Sequence, residues 1–285
     1  MNRSRARKVT IDPVVPRQIT RDEFARISDL LHRRTGILLA PGKETLVMGR
    51  LDKRLRQLGV GTYGEYLRLL HTTGDELGVA IDALTTNETY FFREPQHFDF
   101  LRAVVAPEAR GSRPLRVWSA AGSTGEEAYT VAMVLADAMP GRPWEVVATD
   151  ISTGVLRTAK QGVYPLTAAA RIPDALLRKY CRRGRDEYDG LMAVSRDLRN
   201  RVRFMRANLL DDLTGLGRFD VIMLRNVMIY FDTDTKITLV RRLADMLVPG
   251  GHLVVSHSES LHGIAPQTVR MTQPSIYQRV RTDDE

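Results

Sequence analysis

Cysteine is nearly missing from this chain: Cys181 stands alone among 285 residues. No internal disulfide can form, and no thiolate cluster can hold a metal. Such sparing use of cysteine fits a reducing compartment, and a cytoplasmic location is expected. No run of about 18 apolar residues occurs, so no transmembrane helix or membrane insertion is expected. Arg3, Arg5, Arg7 and Lys8 open the chain without an apolar segment behind them, unlike a secretory signal. There is no Walker loop, no nucleophilic triad and no Cys/His cluster, and no metal is expected. Six histidines are scattered; His252 and His257 fall in a strand-to-loop segment and read as structural. Internal repeats and low-complexity tracts are missing too.

Acidic residues are in deficit, leaving a net charge of +8. A basic chain suits nucleic acid or an acidic protein surface, and composition alone does not choose between them. The length exceeds a usual single domain, so one large or two modest domains are expected. With 43% hydrophobic residues there is ample material for their cores.

Residues 1–18, basic and interrupted by Pro13 and Pro16, read as a flexible arm. From 19 to 84 the apolar spacing is helical, with Phe24, Ile27, Leu30 and Leu31, then Leu46, Val47, Leu51, Leu55 and Leu58. Thr20 followed by Glu23 is a capping box. Residues 85–111 read as a linker and a helix that ends near Ala109. From 112 to 285 short apolar strands alternate with helices, which predicts a mainly parallel sheet with crossover helices. The strands are expected at Leu115–Ala121, Glu145–Ile151, Val202–Leu209, Phe219–Leu224 and His252–Ser256. A closing hairpin is expected around Pro274, and a small antiparallel β-insertion at about 180–201. The fold class is therefore α/β, an all-helical N-terminal domain followed by a doubly wound, Rossmann-like domain.

In such a sheet, ligands sit beyond the carboxyl ends of the strands, where the strand order reverses. The first strand ends in Ser119-Ala120-Ala121 and turns through Gly122-Ser123-Thr124-Gly125 into a helix. Small residues there permit a close ligand, although the strict Gly-x-Gly-x-x-Gly is missing and an ordinary strand-to-helix turn reads equally. Asp150 ends the second strand, where an acid can accept both hydroxyls of a ribose. Capping of the helix after Ser152 is its alternative role. Arg50, Lys53 and Arg54 fall at i, i+3 and i+4 on one helix face opposite the leucines, either a docking patch or solvated surface.

Five segments carry a resemblance. They are Thr-Thr-Asn-Glu-Thr-Tyr-Phe-Phe-Arg-Glu-Pro-Gln-His-Phe (85–98), Arg-Val-Trp-Ser-Ala-Ala-Gly-Ser-Thr-Gly-Glu-Glu-Ala-Tyr (116–129) and Val-Val-Ala-Thr-Asp-Ile-Ser (146–152). Leu-Arg-Asn-Val-Met-Ile-Tyr-Phe-Asp (224–232) and Gly-Gly-His-Leu-Val-Val-Ser-His-Ser-Glu-Ser-Leu (250–261) complete the set. In identity, order and spacing the chain resembles the CheR family, the chemoreceptor glutamate O-methyltransferases of bacterial chemotaxis, from about Ile19 to Val280.

The resemblance implies S-adenosylmethionine as cofactor and S-adenosylhomocysteine as product. It implies that Asp150 binds the ribose and that Glu127 belongs to the same pocket, with Glu126 pointing away. Asn208 and Leu209 would flank the adenine, and Arg225 and Asn226 would line the channel. Asn87, Thr89 and Arg93 would grip the methionine end. Arg93 and Tyr230 are expected nearest the transfer, Arg93 holding a carboxylate and Tyr230 orienting the acceptor, with core packing the alternative for Tyr230. The basic helix face, Arg50, Lys53 and Arg54, is implied to dock on the acidic helices of methyl-accepting chemotaxis receptors, so nucleic acid is not expected as a partner. A monomer is expected. The insertion keeps Gly184 and Gly190 but carries Ala193 where tethering members have Arg, which puts peptide tethering in doubt. A non-catalytic sensor of the cofactor and an RNA methyltransferase are the alternatives.

Overall fold

The computed structural model describes residues 17–72, 74–108 and 113–280. Most of the basic arm and the end of the helix near Ala109 lie outside those residues. Four helices come first: α1 (Arg21–Thr35), α2 (Glu44–Gln57), α3 (Tyr63–Thr72) and α4 (Gly74–Leu84). The capping box starts α1, with the Thr20 hydroxyl accepting from the Glu23 amide and the Glu23 carboxylate from the Thr20 amide. Gly36, left-handed at φ 75°, ends it. Apolar residues at helical spacing meet in one core of Phe24, Ile27, Leu31, Val47, Leu51, Leu55, Tyr63, Tyr66 and Leu67.

A buried Glu76 on α4 interrupts that core, and its charge needs a partner. Arg54 supplies it, with Nε 2.9 Å from one carboxylate oxygen, while the Tyr66 hydroxyl donates at 2.7 Å. Two of the three cations expected on the docking face are therefore also engaged within the chain. Arg54 is an internal counter-ion, and Arg50 reaches across to the Leu84 carbonyl and the Thr86 hydroxyl. Of the three cations, Lys53 is the one classed as exposed.

Short α5 (Gln96–Phe100), a π-helical turn at Leu101–Val105 and α6 (Ala106–Glu108) lead to the sheet. Then come β1 (Leu115–Ser119), α7 (Glu126–Ala138), β2 (Trp144–Asp150), α8 (Thr153–Gln161) and β3 (Val163–Pro165). After them lie α9 (Asp174–Tyr180), β4 (Cys181–Arg183), β5 (Leu191–Val194), α10 (Arg196–Arg199) and β6 (Val202–Arg206). Last come β7 (Phe219–Met223), α11 (Thr233–Asp245), β8 (Leu247–Val254), β9 (Val269–Gln273) and β10 (Ile276–Arg279). The main sheet has the order β6-β2-β1-β7-β8-β10-β9. The first five are parallel, and β10 and β9 close it antiparallel. Alternation sorts the core: Val117, Val146 and Ala148 pack on the α7 side, and Trp118, Val147 and Ile222 on the α11 side. The expected doubly wound α/β fold behind a helical domain is therefore present.

Three details differ from the sequence reading. The small sheet is β3-β5-β4, and β3 lies well before position 180. It is only three residues long, directly after the left-handed Gly162, too short for alternation to show. Strand β8 begins at Leu247 and passes through a register shift opposite β7, which hid its first half. Strand β6 stops at Arg206 because Asn208 turns the chain, its side-chain oxygen accepting from the Leu210 amide at 3.1 Å.

The two parts are tied at their seam. Asp82 of α4 accepts from the amides of Thr153 and Gly154, capping α8 from the other domain. His32 lies 2.7 Å from Asp232, and the Asn208 side-chain Nδ2 donates to the Arg34 carbonyl at 2.7 Å.

Candidate active site

The chain runs from β1 outward to β2 and β6, then returns to β7 beside β1, so the strand order reverses between β1 and β7. A cavity of about 370 Å³ opens there, beyond the strands' carboxyl ends, within the usual range for small-molecule sites. Asn87, Thr89, Arg93, Glu127, Asp150, Asn208, Leu209, Arg225, Asn226 and Tyr230 all line it, and so does Arg50 at the rim. Lys53 and Arg54 do not. Neither does Glu126, which takes a hydrogen bond from the Thr124 hydroxyl instead.

At the sheet end, Asp150 is buried and accepts from the Ser123 amide on one oxygen and the Ser152 amide on the other, both at 2.9 Å. Burial pushes its carboxyl above the ordinary range, with the two amides opposing and Asp82 adding to the rise. Each oxygen keeps a lone pair for a ribose hydroxyl. The helix after it is capped by Ser152, whose side chain accepts from the Val155 amide at 3.3 Å. The capping alternative for Asp150 is thus filled by its neighbour.

The 122–125 turn is not an open cradle. Its amides at Gly122, Ser123 and Gly125 donate to Thr149, Asp150 and Gly122. Gly125 is glycine for a different reason: at φ 98°, a Cβ would come 2.9 Å from the Tyr164 hydroxyl and 3.0 Å from Ala159. Close packing of α7 on α8 requires it.

In the middle, Arg225 is buried and joins three segments. It donates at 2.7 Å to Glu127, whose other oxygen accepts from Ser119 at 2.6 Å. It also lies 3.2 Å from Glu94 and donates to the Arg93 carbonyl. The 85–98 segment packs its aromatics inward and turns its polar side chains to the cavity. Phe91 is fully buried edge-on to Tyr164 at 5.0 Å, and Phe92 packs on Phe98 at 5.6 Å. Their anchoring holds Phe92 and Glu94 at positive φ, 55° and 57°, and leaves Asn87, Thr89 and Arg93 facing the cavity.

Beneath this segment, Glu94, His97 and His257 bring ligand atoms within 4.8 Å of one another. The Glu94 carboxylate is already engaged by Arg225 and by the His257 amide at 3.3 Å, and His97 Nε2 by Ser275 at 2.8 Å. His97 Nδ1, 3.4 Å from Glu94, is buried without a hydrogen-bond partner among the described residues. Burial and the nearby Arg225 push the His97 pKa down to about 4.

Sequence reasoning missed the mouth. Ile37, Leu38, Leu39, Ala40 and Lys43, between α1 and α2, form one wall, and the Leu38 amide donates to the Tyr230 carbonyl at 2.8 Å. Leu38 is 52% exposed and Ile229 51%, so an apolar rim surrounds the opening. The available signal was an apolar run between Gly36 and the Pro41-Gly42 pair, too short for another helix.

Comparison with known proteins decides the lineage. The family described as "CheR methyltransferase, SAM binding domain" matches residues 87–277, and "CheR methyltransferase, all-alpha domain" matches 22–85. The chain belongs to the CheR methyltransferase family. "Chemotaxis protein methyltransferase 2" of Pseudomonas aeruginosa is 42% identical over 90% of this chain and 93% of that protein. "Chemotaxis protein methyltransferase" of Escherichia coli is 45% identical over 83% and 84%. The CheR domain is one that binds S-adenosylmethionine, and the cavity suits that molecule. Asp150 and Glu127 bring carboxylates to its lining, while Leu209 and Ala120 offer apolar walls.

Proposed function

We propose that the protein moves a methyl group from S-adenosylmethionine to glutamate side-chain carboxylates of methyl-accepting chemotaxis receptors. The products are S-adenosylhomocysteine and a glutamate methyl ester. The observation that carries this reading is the cavity itself, which joins Asp150 at the sheet end to Arg93 and Tyr230 near the mouth. No histidine or cysteine stands among the described residues that line it. Such a lining suits a reaction that needs no general base. A glutamate carboxylate is ionised at pH 7, and the bound cofactor supplies a methyl already activated on a sulfonium. The protein's task is then alignment and exclusion of water.

In this reading Asp150 holds the ribose, Asn208 and Leu209 flank the base, and Asn87, Thr89, Glu127, Arg225 and Asn226 complete the cofactor channel. Arg93 orients the incoming carboxylate by a charged hydrogen bond, and Tyr230 faces it from the opposite loop. The mouth, with apolar Leu38 and Ile229 beside Lys43 and Arg50, suits an acidic, amphipathic receptor helix. The net positive charge favours approach of such a partner. No described helix is long and apolar enough to cross a membrane, and we place the protein in the cytoplasm as a monomer without a metal.

The test is incubation with radiolabelled cofactor and either a receptor cytoplasmic region or RNA. Base-labile label on the receptor is the expected result. Label on RNA, or none despite cofactor binding, would overturn the glutamate reading.

A further inference from the structure

Glu259 lies outside the cavity, in the 250–261 segment, and is 7% exposed. Its carboxylate is a three-way acceptor. One oxygen takes the Asn226 amide at 2.9 Å and the Ser256 amide at 3.0 Å, and the other takes the Met228 amide at 2.7 Å. Asn226 and Met228 belong to the loop that follows β7, and Ser256 to the loop that follows β8. One side chain therefore ties two neighbouring strand ends together at the edge where the cavity opens.

The loop needs such a tie. Past Leu224, whose amide still donates to Val254, its backbone leaves the ladder. Asn226 then adopts a left-handed conformation at φ 57°, and Met228–Tyr230 form a single 3-10 turn. Buried amides in irregular backbone have no strand partner, and leaving them unmade is unfavourable. A carboxylate meets several of them with strong hydrogen bonds. The outcome is a fixed path for the chain that carries Arg225, Asn226, Ile229 and Tyr230 into the cavity.

We propose that Glu259 is a positioning residue whose carboxylate sets the 225–230 loop in the shape that presents Asn226 and Tyr230 to the transfer site. The proposal rests on the function given above for what that loop does, but not for the clamp itself. In that reading the cofactor's adenosine end is held by Asp150 and the 208–209 segment, which Glu259 does not touch, so the two ends should respond differently. Glu259→Gln keeps the size but turns an amide N–H toward a backbone donor. Glu259→Asp keeps the carboxylate but shortens its reach.

Three measurements on the full chain test this: amide hydrogen exchange, S-adenosylhomocysteine affinity by calorimetry, and kcat and KM for receptor methylation. For Glu259→Gln we expect exchange at 224–231 to quicken at least tenfold while β1 and β2 keep their protection. Cofactor affinity should fall by a smaller factor than kcat, because Asp150 and the 208–209 segment are untouched, and kcat should fall at least tenfold. Glu259→Asp should lie between it and the parent. A kcat within twofold of the parent, or unchanged exchange at 224–231, would overturn the proposal. Loss of protection across the whole sheet in both variants would overturn it too, since the residue would then serve the fold in general. Should the unmodified protein fail to label receptor, the glutamate reading falls, and exchange at 224–231 decides the clamp alone.

Discussion

The two ends of the cavity are built by different means. The inner end is made of strand termini. Asp150 closes β2, the turn after β1 crosses in front of it, and two backbone amides fix its carboxylate. The mouth is made of loops from both domains, where the 36–43 segment meets the 225–230 loop through one backbone hydrogen bond from Leu38 to Tyr230. The inner end is set once the parallel sheet forms. The mouth depends on how two domains sit against each other and on a carboxylate, Glu259, that holds irregular backbone in place. In the proposed reading, strand termini hold the cofactor, and loops held by individual hydrogen bonds meet the larger substrate.

The largest effect should come from the inner end. Asp150→Ala removes a buried acceptor, and charged hydrogen bonds of this kind contribute about 1.5–3 kcal/mol. Cofactor affinity measured by calorimetry should fall by about tenfold to a hundredfold. Arg93→Ala, at the other end, should act more on kcat than on cofactor affinity. Were Asp150→Ala to bind as tightly as the parent, the assignment of the inner end to the ribose would fail.

That contrast also separates what was legible in the sequence from what was not. Asp150 stands at a strand end that apolar periodicity and the doubly wound pattern locate, whereas Glu127, Arg225 and Asn226 were legible only through the family resemblance. The 36–43 wall carries no periodic signal, and its place over the cavity depends on contacts between residues nearly two hundred positions apart. The internal partners of the basic helix face were hidden for a related reason. Helical spacing puts Arg50, Lys53 and Arg54 on one side, but nothing local shows that Glu76 of α4 lies against that side and captures Arg54. β3 escaped because a three-residue strand holds too little alternation to read.

A pH experiment probes the layer beneath the 85–98 segment. His97 is 1% exposed, faces Glu94, Arg225, His257 and Ser275, and is pushed down from 6.5 to about 4. In the unfolded chain it gains a proton near 6.5, whereas in the folded chain it does so only near 4. Lowering the pH therefore favours the unfolded state, and stability is lost progressively between those two values and no further below them. By linkage the loss at pH 5 relative to pH 8 is about 2 kcal/mol. Urea unfolding should show His97→Gln losing less than the parent across that interval. His252 is shifted down as well by burial, but it is present in both proteins and cancels in the difference. Parallel losses in parent and variant would free His97 of the effect.

The smallest effect concerns the outer surface of α2. Lys53 is exposed there, whereas Arg54 is bound to Glu76 and Arg50 to the rim of the cavity. If positive charge on this helix steers an acidic receptor, Lys53→Glu should lower the methylation rate at limiting receptor by a few-fold at low salt, since single exposed pairs contribute about 0.2–1 kcal/mol. The difference should shrink as salt rises, because exposed charges are screened over about 8 Å at physiological ionic strength. Cofactor affinity and thermal stability should not move. Arg54→Glu should behave in the opposite way, losing stability at every salt concentration because it sets a second carboxylate against buried Glu76. Equal receptor kinetics for Lys53→Glu and the parent at low salt would mean that the face of α2 is solvated surface. Steering would then have to come from Arg50 and Lys43 at the mouth, and that end of the cavity would hold both the recognition and the chemistry.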